Sequence, residues 1–228
     1  MIDDRNRAVP KVGSANIGPI RIRPATEPYS EDTADLLQRI RMPAGRSSDP
    51  TYRSLAAGPL PTFFALAARF PALGETLVHL RAFIHTIPGL PLRQRELIVH
   101  RLTARLDNEY EWSLHAASYG ERAGLDQDIL DATVTTSPGN YSRWKDSDLL
   151  SVQLVDQLVD SNEINDSLWQ LLCEEYDEET LISILFLTGF YAQVSWVMNS
   201  VRIPNEPGTP RFPHNRETTQ SSTLSSEE

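Results

Sequence analysis

The chain has 228 residues, 40% of them hydrophobic, and a formal net charge of −10 from 31 acidic against 21 basic side chains. This length suits one domain with a full core, and an acidic balance without a basic, aromatic-interleaved stripe argues against nucleic acid or an anionic membrane as partner. A single cysteine, Cys173, excludes internal disulfides and any Cys-x-x-Cys element.

Residues 1–29 mix Pro, Gly and charge without a sustained period and are expected to form a flexible N-terminal segment. They lack the apolar stretch of a secretory signal, and no window is expected to reach the ~18 apolar residues of a membrane span, so the expected location is cytoplasmic. From residue 30 to 203 apolar residues recur at spacings of three and four, which predicts a single all-α domain, a compact helical bundle.

Ser30-Glu31-Asp32 opens a helix ending near Met42-Pro43, Pro61 opens one carrying Phe63, Phe64 and Leu66, and Pro71 opens another to His85. Pro91 sits at the first position of a helix to about Leu106. Asn108 caps the next, predicted to run to Ala123 and stop at Gly124, and Asp126 caps a third through Ile129, Leu130 and Val134. After the turn-rich Ser137-Pro138-Gly139-Asn140, helices are expected around Leu149 to Val159, around Leu168 to Tyr176, and from Glu178 to Val201. Cys173, among Trp169, Leu172 and Tyr176, reads as a buried small apolar residue. An offset of 84 places Leu97 over Leu181, Ile98 over Ile182 and Trp112 over Trp196, a weak internal repeat of two helix pairs whose second copy lacks the acids and the histidine of the first. Residues 204–228 are expected to be a flexible Pro- and Ser-rich tail.

The chemistry concentrates in Glu111 and His115, four residues apart and therefore on one helical face. Glu96, on the preceding helix, supplies a second carboxylate that could meet them. Beside the polar stripe of Glu111, His115, Ser118 and Arg122 runs an apolar one of Trp112, Ala116, Tyr119 and Ala123, which sets the pair at the core boundary. Partial burial there poises a proton-transfer pair near neutral pH. The plainer alternative is two exposed i,i+4 pairs, Glu111 with His115 and Glu96 with His100, each contributing roughly 0.2–0.5 kcal/mol to its helix. His79 and His85 read as boundary packing. One imidazole with two carboxylates is a poor donor set, so neither metal nor other cofactor is expected. No Gly-x-Ser-x-Gly elbow or glycine-rich phosphate loop is present in the sequence.

Taken together, Arg95-Glu96-Leu97-Ile98-Val99, Glu109-Tyr110-Glu111-Trp112-x-x-His115 and Ala123-Gly124-Leu125-x-x-x-Ile129 resemble the carboxymuconolactone decarboxylase family, which includes the alkylhydroperoxidase D-like proteins. The resemblance spans roughly residues 60 to 203, including the Tyr191 to Asn199 helix. It implies a helical, homo-oligomeric subunit acting on a small molecule. The peroxidase branch carries a Cys-x-x-Cys pair, and Asn108 and Glu111 stand at those positions here, so thiol peroxidase activity is not expected. The cofactor-independent branch implies a decarboxylating lyase on a small oxygenated organic acid or lactone, in natural-product or aromatic-breakdown metabolism. His115 would then be the acid–base group, Glu96 and Glu111 its partners, and Tyr110, Trp112 and Tyr119 would shape the substrate pocket. Isomerisation, dehydration or cyclisation by the same residues, and a non-catalytic oligomeric binding protein, are the alternatives.

Overall fold

Polar caps start most of the helices. Ser30 accepts a hydrogen bond from the Thr33 amide, Asn108 from Glu111, Asp126 from Ile129, Asn165 from Leu168 and Asp177 from Thr180, each filling a donor the first turn leaves open. In the computed structural model the described residues are 18–42 and 58–213, and among them lie nine α-helices, one short 3-10 turn and no strand. The helices are α1 (Glu31–Arg41), α2 (Thr62–Ala68), α3 (Pro71–Ile84), α4 (Leu92–Arg105), α5 (Glu109–Tyr119), α6 (Gln127–Thr135), α7 (Asp146–Ser161), α8 (Asp166–Glu175) and α9 (Glu178–Val201). The fold is all-α.

α4 is the axis of the molecule. It packs against α5, α6, α7 and α9, and every residue from Gln94 to Ala104 is buried. A helix buried all round normally reads as hydrophobic all round, yet α4 carries six polar or charged side chains in that stretch. Burial then demands partners. Arg101 pairs with Asp156 of α7 at 2.7 and 2.8 Å and donates to the Thr133 carbonyl at 2.9 Å, while Gln94 donates to Ser147 at 3.0 Å. Three apolar clusters surround this polar spine: Leu36, Ile40, Phe63 and Leu77 joining α1 to α3; Ile98, Leu154, Leu172 and Leu187 joining α4 to α7, α8 and α9; and Leu97, Trp112, Ile129 and Leu130 joining α4 to α5 and α6.

Several expectations need correcting. Regular helix α5 ends at Tyr119 rather than Ala123, because the chain passes into a turn in which Leu125 donates to the Gly120 carbonyl and Gly124 to Glu121. Gly124 closes that turn at a φ of +66°, the left-handed conformation glycine adopts freely. The 84-residue repeat fails: Asn108 opens a new helix after a break, whereas its counterpart Ala192 lies inside the unbroken 24-residue α9. Cys173 is exposed, since α8 turns Leu168 and Leu172 inward and leaves the intervening positions outside. α9 is also apolar and long enough to cross a membrane, with a mean hydropathy of 1.6 over its best window. Half of that window is buried in the protein, packed as a core helix.

The chain around the ends of the domain is packed. Arg21 donates from its amide to the Val201 carbonyl, and Ala25 to Ala65. Beyond α9, where a tail was expected from residue 204, Glu206 binds Tyr110 and the Thr62 amide, and Phe212 packs on Trp112 at 5.3 Å. The remainder of both expected flexible ends, residues 1–17 and 214–228, lies outside the described residues.

Candidate functional site

α4 and α5 cross so that Glu96 and His115 face one another. His115 Nδ1 donates to Glu96 Oε2 at 2.7 Å, and on its other side Nε2 faces Glu111 Oε1 at 3.4 Å and the Tyr191 hydroxyl of α9 at 3.2 Å. The expected partners therefore meet around one imidazole, and none of them is exposed: Glu96 is fully buried, His115 4% and Glu111 7% accessible. The alternative of two exposed pairs fails on burial. It fails also on geometry, because His100 turns its Nδ1–H to the Glu96 backbone carbonyl at 2.6 Å rather than to the carboxylate.

The two glutamates have different surroundings. Glu96 Oε1 accepts from Arg95 Nε at 2.9 Å and Nη2 at 2.7 Å, so both oxygens are held by charge-assisted hydrogen bonds. Glu111 Oε2, in contrast, is buried with no hydrogen-bond partner among the described residues. Arg95 extends the array by reaching His85 Nδ1 at 3.2 Å and lying over the Tyr119 ring at 5.2 Å. His85, expected as boundary packing, is part of this network.

Burial alone would drive the imidazole of His115 to its neutral form. The charge of Glu96 and the hydrogen bonds to Glu111 and Glu96 outweigh it, raising His115 to about 9. Burial would likewise raise Glu96, but the positive charges of His115 and Arg95 hold it down at about 2. His100 shows the opposite balance: burial dominates and lowers it to about 4, so it is neutral near pH 7. Burial, reinforced by the Glu111 and Glu96 charges, also keeps the Tyr191 phenol protonated well beyond its ordinary range. At neutral pH the site thus holds a His115 imidazolium against the Glu96 carboxylate.

A cavity of about 470 Å³ opens onto this array, with His115, Glu111 and Tyr119 in its wall and Glu96 behind them. Leu60, Phe64 and Leu114 supply apolar lining, Arg41 and Arg81 bring positive charge from α1 and α3, and residues 206–209 close one side. Such a mixture of apolar surface and few polar groups suits a small organic ligand. Of the three aromatic residues expected to shape a pocket, only Tyr119 lines it. Tyr110 is tied into the core by bonds to Glu206 at 2.7 Å and from the Phe63 amide at 3.1 Å, and Trp112, fully buried, donates to Thr133 at 3.0 Å.

Sequence spacing did not point to Arg95, His85, Tyr191, Arg41 or Arg81. Adjacent positions on a helix diverge by about 100°, so the Arg95 to Glu96 contact depends on a long side chain folding back. The others come from distant segments. Among the described residues no group of three or more His, Cys, Asp or Glu side chains has a metal-binding arrangement. Compared with family models, curated proteins and solved structures, the chain matches none.

Proposed function

We propose that the protein is a cofactor-independent acid–base enzyme, most simply a decarboxylating lyase of the carboxymuconolactone decarboxylase kind, acting on a small oxygenated organic acid or lactone. The observation that carries this is the convergence of Glu96, Glu111 and Tyr191 on His115 at the wall of a partly apolar cavity. A binding protein without chemistry has no need to place an imidazolium against a buried carboxylate. Burying such charges is costly even when they are paired, and perturbed titratable groups gathered at a cavity are a mark of functional sites.

In this reading the substrate's own carbonyl is the electron sink. The carbon–carbon bond to the departing carboxylate breaks, its electron pair forms an enolate, and carbon dioxide leaves. His115 then gives the Nε2 proton to the carbanionic carbon, becoming a neutral imidazole, and regains a proton from solvent through Glu111. Glu96 acts as a positioning residue: held on both oxygens, it fixes the ring and keeps the second proton on Nδ1. Isomerisation, dehydration or cyclisation would use the same parts, with the unpartnered Oε2 of Glu111 as the base and His115 as the acid.

His115→Gln tests the proposal. Carbon dioxide release from a panel of β-keto acids and lactones should fall by about 10²–10⁴-fold, the usual worth of a positioned acid–base group, with helicity by circular dichroism preserved. Undiminished turnover in this variant would sink the reading.

A further inference from the structure

Resting on the reading just given, we propose that Arg81, assisted by Arg41, is the anchor for a carboxylate that the substrate keeps through the reaction, so that the cavity selects organic anions over their neutral analogues.

The four arginines of α4 set the comparison. Arg93 pairs with Asp148, Arg95 with Glu96, Arg101 with Asp156, and Arg105 with Asp156 and Asp160, all between 2.6 and 2.8 Å. Arg81, half-buried on α3, forms no ion pair among the described residues. It is nevertheless fixed: Nε donates to the Ile40 carbonyl at 2.9 Å, and the guanidinium lies 4.6 Å from the centroid of the Phe64 ring. Among the described residues those two contacts leave both terminal nitrogens uncommitted, in a residue that lines the cavity. A planar fork held on one edge and one face, in a residue of the cavity wall, can offer its terminal nitrogens to a carboxylate in bidentate geometry. Arg41, in the same lining, donates to the Gly58 carbonyl, which steadies it at the end of α1.

The anchored carboxylate cannot be the one lost, because an arginine stabilises the charged ground state that decarboxylation must discharge. A substrate that loses carbon dioxide here therefore carries a second carboxyl group. The apolar flank of Leu60, Phe64 and Leu114 takes a hydrocarbon or ring body beside it.

The test is titration calorimetry of the full chain with benzoate, cinnamate and adipate, each beside its neutral amide. At least one acid should bind tenfold or more tightly than its amide. Arg81→Gln should remove that preference, lowering acid affinity at least tenfold while leaving the amide unchanged, and Arg81→Lys should restore part of it. Thermal melting shows whether the variant folds; where Arg81→Gln does not, Arg41→Gln is read by the same tenfold criterion. Absence of acid binding, equal binding of acid and amide, or wild-type acid affinity in the folded variant would overturn the anchor. Because calorimetry reads binding and not turnover, that failure is separate from a failure of the acid–base reading, which the His115→Gln turnover reports.

Discussion

His115 owes its charge to two carboxylates that outweigh its burial, and that balance fixes how the protein should respond to pH. Its folded-state value is raised to about 9 from 6.5, so its stabilising contribution is complete below 6.5 and is lost as pH rises through 9. His100 works in reverse: lowered from 6.5 to about 4, it makes the unfolded chain the better proton binder in that interval, and stability falls as pH drops through it. Glu96, depressed from 4.5 to about 2, contributes fully above 4.5 and is lost as pH falls toward 2. The melting temperature should therefore peak near pH 6.5, with His100 forming the first part of the acid limb and His115 the alkaline limb. Thermal melts across this range check it, and His115→Gln should flatten the alkaline limb. An alkaline limb that is unchanged in the variant would remove His115 as its origin.

At the scale of elements, the break between α4 and α5 does the positioning. Asp107 takes a positive φ of 52°, turning the chain so that Asn108 can start α5 with its side chain on the Glu111 amide at 3.2 Å. The same side chain donates to Ser195 of α9 at 3.0 Å, tying the start of the helix that bears Glu111 to the one that bears Tyr191. Asn108→Ala removes both contacts. It should cost about 1–2 kcal/mol from the cap alone, leave Ser195 without its buried donor, and reduce turnover more than substrate affinity by loosening Glu111 and Tyr191 together. Chemical denaturation and steady-state kinetics read the two effects, and a variant as stable as the parent would show that the cap is not what sets the helix.

On the scale of the whole molecule, α9 has two apolar faces. Leu181, Ile184, Leu187, Tyr191 and Met198 look inward, while Ile182, Phe186 and Trp196 are 51%, 64% and 62% accessible and Phe83 of α3 meets Phe186 edge-on at 6.5 Å. Aromatic residues in such a strip are a usual mark of an interface. Self-association through this face is the proposal that goes with the family resemblance. The parent should sediment as a multiple of its 25.6 kDa chain mass, and Phe186→Glu combined with Trp196→Glu should return it to a single chain. A parent that sediments as one chain would refute it.

What the sequence determined alone was local. Ser30, Asn108 and Asp126 announce helix starts because a cap bonds within one turn, and Glu111 and His115 share a face because helical spacing places them there. The all-α class follows from the same periodicity. Tertiary packing decided the rest: that α4 is buried all round despite its charges, that Arg95 folds back on Glu96, that Tyr191 and Arg81 arrive from distant helices, that Tyr110 and Trp112 belong to the core, and that Cys173 lies outside. These depend on which segments meet, and the free energy of burying a charge is set by partners that no short window of sequence contains.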